Sequence, residues 1–383
     1  MSLLAGLAEI DITPPVGTHK IGWLKVIAST EVRDPLFARA VVLRNATGQI
    51  GLVQLDTLFV AWPEVAAIRG EIARQFGFPG GHVMVAATHN HAGPAVTHAG
   101  DVPKDLEYAQ TLVSKAVQAF GQALQALREV EIGVGRCFEW RVAHNRRVVM
   151  RDGTVRTHGT FDDPEALCLE GPVDPEVAVV VLRSLEGEVL GSIVDFACHP
   201  THHGGDGVLS AGFPGALADE LRAQSRGHLA LFLNGASGNL HTSDPCAGGR
   251  GPAQEEVGRM LAEDVRQATR SAVFASDLSL GAASRVVELP YRQVTQDEVR
   301  GTARGAQRFI DAAIYDRTIP PLVDKIRQRG THLAEIQALF LGDVALIGVP
   351  GEYFCEFGLR IKQEVYPTRA LVVTCANGRV GYI

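Results

Sequence analysis

The sequence predicts an α/β fold, a mixed β-sheet core flanked by helices and built from recurring hairpin–helix–strand–helix–strand units. Three observations carry this. Short apolar runs rich in β-branched residues alternate with segments of helical spacing. Several runs come in pairs around a short polar Gly turn, the pattern of a β-hairpin. And the pairs resemble one another. "DPLFARAVVLRNATGQIGLVQLD" from Asp34 and "DPEVAVVVLRSLEGEVLGSIVDF" from Asp174 both begin Asp-Pro, run to Leu-Arg, turn at Gly48 or Gly187 and resume an apolar run. A third copy, "AEIQALFLGDVALIGVPGE", turns at Gly342-Asp343.

Taken in order, residues 62–76 have helical spacing and "HVMVAATH" reads as a buried strand. An amphipathic helix is expected at about 105–127, with Leu106, Ala109, Val113, Ala116, Phe120 and Leu124 on one face, and "EVEIGVGR" closes the unit. The second unit has a helix after Phe213-Pro214, the strand "HLALFLNG", a helix at about 253–272 and the strand "SLGAASRVV". The third gives a helix at about 353–364 and the strand "ALVVTC". The expected organisation is one catalytic domain over 1–383, an internal pseudo-duplication with units at about 30–136, 174–287 and 334–383.

Composition narrows the setting. At 383 residues, 46% hydrophobic and 21% charged, the chain can bury a substantial core. A net charge of −7 argues against nucleic acid or an anionic membrane surface as partner. No apolar run approaches the roughly 20 residues of a membrane span. The start, "MSLLAGLAEIDITPPVG", lacks the basic region of a signal peptide. Six cysteines at 137, 168, 198, 246, 355 and 375 form no CxxC pair, which suits reduced thiols and a cytoplasmic location. Oligomeric state is not legible.

Polar residues fall at corresponding points of the units. After the hairpins come Asp56, His199 in "FACHPTHHGG" and Glu352 in "GVPGEYF"; after the single strands come His89 and His91, then Ser237 in "FLNGASGNL", then Asn377 and Tyr382. Residues just past strand C-termini are those that a sheet gathers at a crevice. His89 and His91 would share a face if the extended conformation continued past "VMVAAT". With His199 and Glu352 they form a nitrogen and oxygen shell suited to Zn²⁺, with one position open to water. His202 and His203 read as exposed loop residues, and Cys198 as a structural thiol. Ser237 lacks the G-x-S-x-G frame of a nucleophile, so a hydrogen bond in a tight turn is its simpler reading. Arg146 is either a solvated loop charge or a ligand for a substrate oxygen.

The ordered set "DITPPVG", "ATHNHAGP", "FACHPT", "LSAGFPG", "FLNGASGN", "GVPGE" and "ANGRVGY" resembles the neutral/alkaline (non-lysosomal) ceramidase family, in its N-terminal catalytic domain. That family consists of zinc-dependent amide hydrolases that cleave the N-acyl bond of ceramide. The resemblance implies zinc ligands at His89, His199, Glu352 and Tyr382. It also implies His91 and Arg146 as groups beside the ion or binding an oxyanion, and Ser237 as an active-site hydroxyl. There are departures: Gly212 stands where the family usually has Asp, and Cys375 where a tyrosine often precedes Ala-Asn. The family's C-terminal β-sandwich and secretion signal are not seen either. The expectation is therefore metal-assisted hydrolysis of a small or polar N-acyl amide rather than ceramide. The alternatives are a metal-dependent esterase or lactonase, or a non-catalytic metal-binding relative.

Overall fold

The computed structural model describes residues 2–225, 227–306 and 312–383. Its larger sheet uses Leu4–Asp11 (β1), Phe37–Arg44 (β2), Gln49–Leu55 (β3), Val83–Ala87 (β4), Arg128–Phe138 (β5), Glu176–Ser184 (β6), Val189–Phe196 (β7), Leu229–Asn234 (β8) and Val273–Ala275 (β9). Their order is β8-β7-β6-β5-β1-β2-β3-β4, with β9 also pairing β5. The smaller sheet, in order, is Leu280–Pro290 (β10), Thr331–Leu341 (β11), Val344–Gly348 (β12) and Arg369–Val373 (β14). A two-residue parallel ladder joins Gly351–Glu352 (β13) to Gly381–Tyr382 (β15). The helices are Trp62–Phe76 (α1), Leu106–Gln125 (α2), Gly212–Gln224 (α3), Gln254–Ser271 (α4), Gln296–Arg300 (α5), Ala312–Arg329 (α6) and Cys355–Glu364 (α7).

This is the mixed sheet flanked by helices that the sequence predicts. One connection recurs: an antiparallel hairpin whose second strand pairs in parallel, across a helix, with the next strand. It joins β2, β3, α1 and β4, then β6, β7, α3 and β8, then β11, β12, α7 and β14. The likeness is one of connectivity. One strand is placed differently from its reading. The run 279–287 does not close the second unit but opens the smaller sheet as β10, paired along its length with β11. The edge position beside β5 falls to the short β9.

Strand parity explains the layers. In "FARAVVLR", Val41 and Leu43 enter a core shared between the two sheets, while Ala38, Ala40 and Val42 enter a core beneath α1 and α2. β7 divides likewise: Ile193 faces the inter-sheet core, and Val194 and Phe196 face α3 and α4. Strands buried on both faces read as continuous apolar runs, as these do. Each fully buried Leu or Phe in such a layer contributes about 1.5–3 kcal/mol relative to exposure. Gly212 opens α3 with φ +64, a left-handed conformation that glycine adopts without strain.

Polar groups also tie the layers together. Arg69 of α1 donates to Glu335 of β11 at 2.7 Å, linking the helical layer to the smaller sheet. At the end of β3, Asp56 accepts from Arg39 Nη1 (2.9 Å), Phe37 N (2.9 Å) and Gln54 Nε2 (2.8 Å), all within the core. Asn377 accepts from Val85 N at 2.9 Å and donates to Gln337 at 2.8 Å, bolting β4 to β11. Asp56 and Asn377, grouped with the candidate site by their strand-end positions, are therefore architectural.

Candidate metal centre

In each parallel pair the strands end on the same side, and there the histidines converge. His89 and His91 follow β4, His199 follows β7, and Glu352 lies in β13 just past β12. One ring nitrogen from each of His89, His91 and His199 lies within 4.8 Å of the other two. His89 Nε2 is 2.9 Å from His199 Nε2 and 3.4 Å from His91 Nε2. Glu352 Oε2 stands 3.2 Å from His89 Nε2 and 3.6 Å from His199 Nε2. The Tyr382 hydroxyl is 3.4 Å from His199 Nε2. The β13–β15 register makes Glu352 and Tyr382 direct partners, so one delivers the other.

The opposite ring nitrogens explain the convergence. His89 Nδ1 donates to Leu58 O (3.0 Å), His199 Nδ1 to Ser237 O (2.9 Å) and His91 Nδ1 to Gly22 O (2.8 Å). A carbonyl oxygen only accepts, so each Nδ1 carries a proton, and each ring in its neutral form turns an Nε2 lone pair toward the others. Three lone pairs and a carboxylate oxygen facing one another repel unless a cation lies between them. Zinc ligands at about 2.0–2.1 Å in a tetrahedron stand roughly 3.3 Å apart, which is the spacing found among these atoms. His89, His91 and His199 could therefore hold a metal ion.

The chain bends to achieve this. His89 has φ 65, so the extended backbone does not continue past β4. Alternation along a strand is thus not what brings His89 and His91 to one side; a left-handed turn does. That conformation costs about 1–3 kcal/mol for a non-glycine residue and is held by its surroundings. Gly22 is part of them, since a Cβ there would fall 1.7 Å from the His91 carbonyl oxygen.

Electrostatics agree with a cation site. Burial and the charge of His89 push His91 down to about 3, and burial with Arg146 and His89 pushes His199 well below its ordinary value. For His89 burial acts downward too, but the Cys375 sulfur and the Glu352 carboxylate outweigh it and raise the pKa to about 10. For Glu352 burial acts upward, yet His89 holds it down to about 2. In the metal-free cluster, then, one proton on His89 supplies the positive charge. A divalent ion must displace it, so below about pH 10 the apparent metal affinity rises with pH and one proton leaves per ion bound. Calorimetry at neutral pH in buffers of different ionisation heat would count that proton; a count of zero would contradict the assignment.

The remaining candidates fall around this centre. Arg146 is buried, donating from Nη2 to Gly238 O (2.6 Å) and to the Tyr382 hydroxyl (3.2 Å). Ser237 is buried and enters through its backbone carbonyl, which orients His199. His202 donates to Pro252 O at 3.1 Å and His203 pairs with Asp206 at 2.8 Å, both in the loop. Cys198 packs in the core beneath α3 and α4.

Sequence reasoning missed several neighbours: the carbonyls of Leu58 and Gly22, the Phe59 ring 5.0 Å from that of His89, Arg379, and the ring pair His158–His241 at 4.9 Å. Only Gly22 left a signal, a glycine in an otherwise apolar segment. A cavity of 440 Å³ bordered by Tyr291, Tyr315, Ile319 and Val323 lies apart, and none of the candidate donors lines it. The segment around it is tied to the rest of the fold by Arg317, which pairs with Asp101 (Nε–Oδ1 3.2 Å), and by Arg304, which donates to Asp152 O. No helix among the described residues is long and apolar enough to cross a membrane.

No family model matches the chain. A neutral ceramidase of Pseudomonas aeruginosa is 22% identical over 320 residues, a match covering 80% of this chain and 44% of that protein. The chain thus spans less than half the length of this curated relative. A solved neutral ceramidase structure from Pseudomonas aeruginosa superposes with a TM-score of 0.75 at 18% identity, covering all of this chain and 69% of the other. A ceramidase complexed with C2 superposes with the same TM-score at 17% identity, over all of this chain and 70% of its own. By sequence match and by fold, the chain resembles the neutral ceramidase family.

Proposed function

We propose that the chain is a zinc-dependent hydrolase that cleaves an N-acyl amide bond in a substrate smaller or more polar than ceramide. The observation that carries this is the convergence of three imidazole lone pairs and the Glu352 carboxylate, each ring fixed from behind by a carbonyl. The likeness to neutral ceramidases supports the choice of an amide.

In this reading His89, His199, Glu352 and Tyr382 hold the ion. Bound there, zinc supplies a water of lowered pKa and a Lewis acid for the acyl carbonyl. Desolvation of the hydroxyl and the neighbouring Glu352 raise the pKa of Tyr382, although the residue as a whole is 55% exposed, so its service as a ligand depends on the ion's charge. His91, with Nδ1–H engaged by Gly22, faces the centre as an acceptor. It takes a proton from the attacking water before passing one to the departing amine nitrogen. Arg146, held beside the Tyr382 hydroxyl, donates to the acyl oxygen as negative charge develops. Ser237 orients His199 through its backbone carbonyl, and in this reading its hydroxyl is a further donor to the substrate. The six cysteines are all free, which supports our placing the protein in the cytoplasm.

The test strips the protein with a chelator, restores zinc, and assays N-acyl amides of graded acyl length, ceramide, and matching esters and lactones. Amide cleavage is expected to vanish on stripping and return with zinc, with short or polar amides preferred. Turnover confined to esters or lactones, or indifferent to stripping, would overturn the reading.

A further inference from the structure

We propose that Arg379 is the residue that reads the substrate, binding a carboxylate borne by the amine part of the molecule, so that the preferred N-acyl substrates are anions. This rests on the amide-hydrolase reading above. Arg379 lies between two fixed points, Asn377 bolted to β4 and β11 and Tyr382 paired with Glu352. Its guanidinium carbon sits 4.3 Å over the Phe59 ring, and that ring in turn lies 5.0 Å from the His89 ring. The cation therefore stands one aromatic side chain away from the candidate metal centre.

Its partners are unlike those of the sequestered cations away from the centre. Arg39 rests on Asp56 and Glu9, Arg69 on Glu335, and Lys362 on Asp174 and Glu176. Arg379 has the Phe59 face and one hydrogen bond, from Nη1 to His98 O at 2.8 Å; among the described residues no carboxylate pairs with it. Glu352 is near enough to favour its charge, but its Oε2 is engaged with His89 and His199. Burial meanwhile works against the charge. One edge of the guanidinium is left for a ligand, and a carboxylate matches such an edge in charge and in its two oxygens.

The test uses non-hydrolysable probes, the ketomethylene analogue of N-octanoylglycine and its uncharged carboxamide, titrated by calorimetry into the zinc-loaded full chain. The wild type is expected to bind the acid about tenfold tighter than the carboxamide. In Arg379→Gln that preference should fall to about twofold or less, with carboxamide affinity unchanged and the melting temperature matched. Arg379→Lys, which keeps a charge and loses the two-toothed edge, should lie between. Equal binding of both probes by the wild type, or a preference that survives in Arg379→Gln, overturns the proposal. Should the Gln variant not fold, an undiminished preference in the Lys variant overturns it. If the preference behaves as stated and N-octanoylglycine is not cleaved, the amide-hydrolase reading fails and the anion subsite stands.

Discussion

His199→Ala is expected to lose its metal and, with it, hydrolysis. His199 is fully buried, and its Nε2 is the point on which His89, Glu352 and Tyr382 close. Removing the ring leaves the Ser237 carbonyl without its donor and the cluster with two imidazoles. A catalytic ion stabilises the transition state by several kcal/mol; about 4 kcal/mol corresponds to a thousandfold in rate. Elemental analysis of the purified variant should find little zinc, and the amide assay a loss of about that size. His91→Ala separates the roles. It should keep its metal and lose about a hundredfold to ten-thousandfold in rate, the range for a positioned acid or base. Full occupancy in the His199 variant, or an empty site in the His91 variant, would reverse the assignment of the two.

The largest effect on stability is expected at Asp56. Its carboxylate is inaccessible and collects the guanidinium of Arg39, the amide of Phe37 and the amide of Gln54. Asp56→Ala strands a buried arginine, 2% exposed, with Glu9 as its remaining carboxylate. Breaking one partner of such a pair costs about 3–5 kcal/mol. Urea denaturation should show the midpoint falling at unchanged slope. The double variant Arg39→Met with Asp56→Asn should lose much less than the two single losses added, because the stranded charge is gone. Additive losses would mean that the pair is not coupled. The effect should also reach the metal. The chain runs from Asp56 through Thr57, whose carbonyl accepts from Asn90 N at 3.2 Å, to Leu58, whose carbonyl orients His89.

Asp56 also shows where the sequence stopped being legible. Strand ends are legible as apolar runs, and that groups His89, His91, His199 and Glu352 at neighbouring strand ends. A polar residue at a strand end has two fates, however: to face the crevice or to clasp a neighbouring strand. Asp56 and Asn377 took the second, and nothing in their immediate sequence distinguishes them from His199 or Glu352. The left-handed turn at His89 was invisible for a related reason, since it is imposed by the contacts of its carbonyls and ring rather than by local propensity. Arg379 and Phe59 went unnoticed because an Arg in a loop and a Phe after a strand are ordinary in isolation; only the fold stacks one on the other. The segment from 288 to 333 carries no motif, and its ties to Asp101 and Asp152 emerge only in three dimensions.

The proposed ligands, His89, His199, Glu352 and Tyr382, are far apart along the chain: two follow strands of the larger sheet and two sit in the β13–β15 ladder. Bringing such distant residues together in an unfolded chain costs loop-closure entropy that no partial structure repays. A denatured or half-folded molecule therefore offers an ion little beyond isolated imidazoles, and the metal cannot seed folding as it does where ligands are neighbours in sequence. It would arrive last, on a completed framework. The zinc content of a preparation would then serve as a census of its native molecules, taken without any substrate in hand.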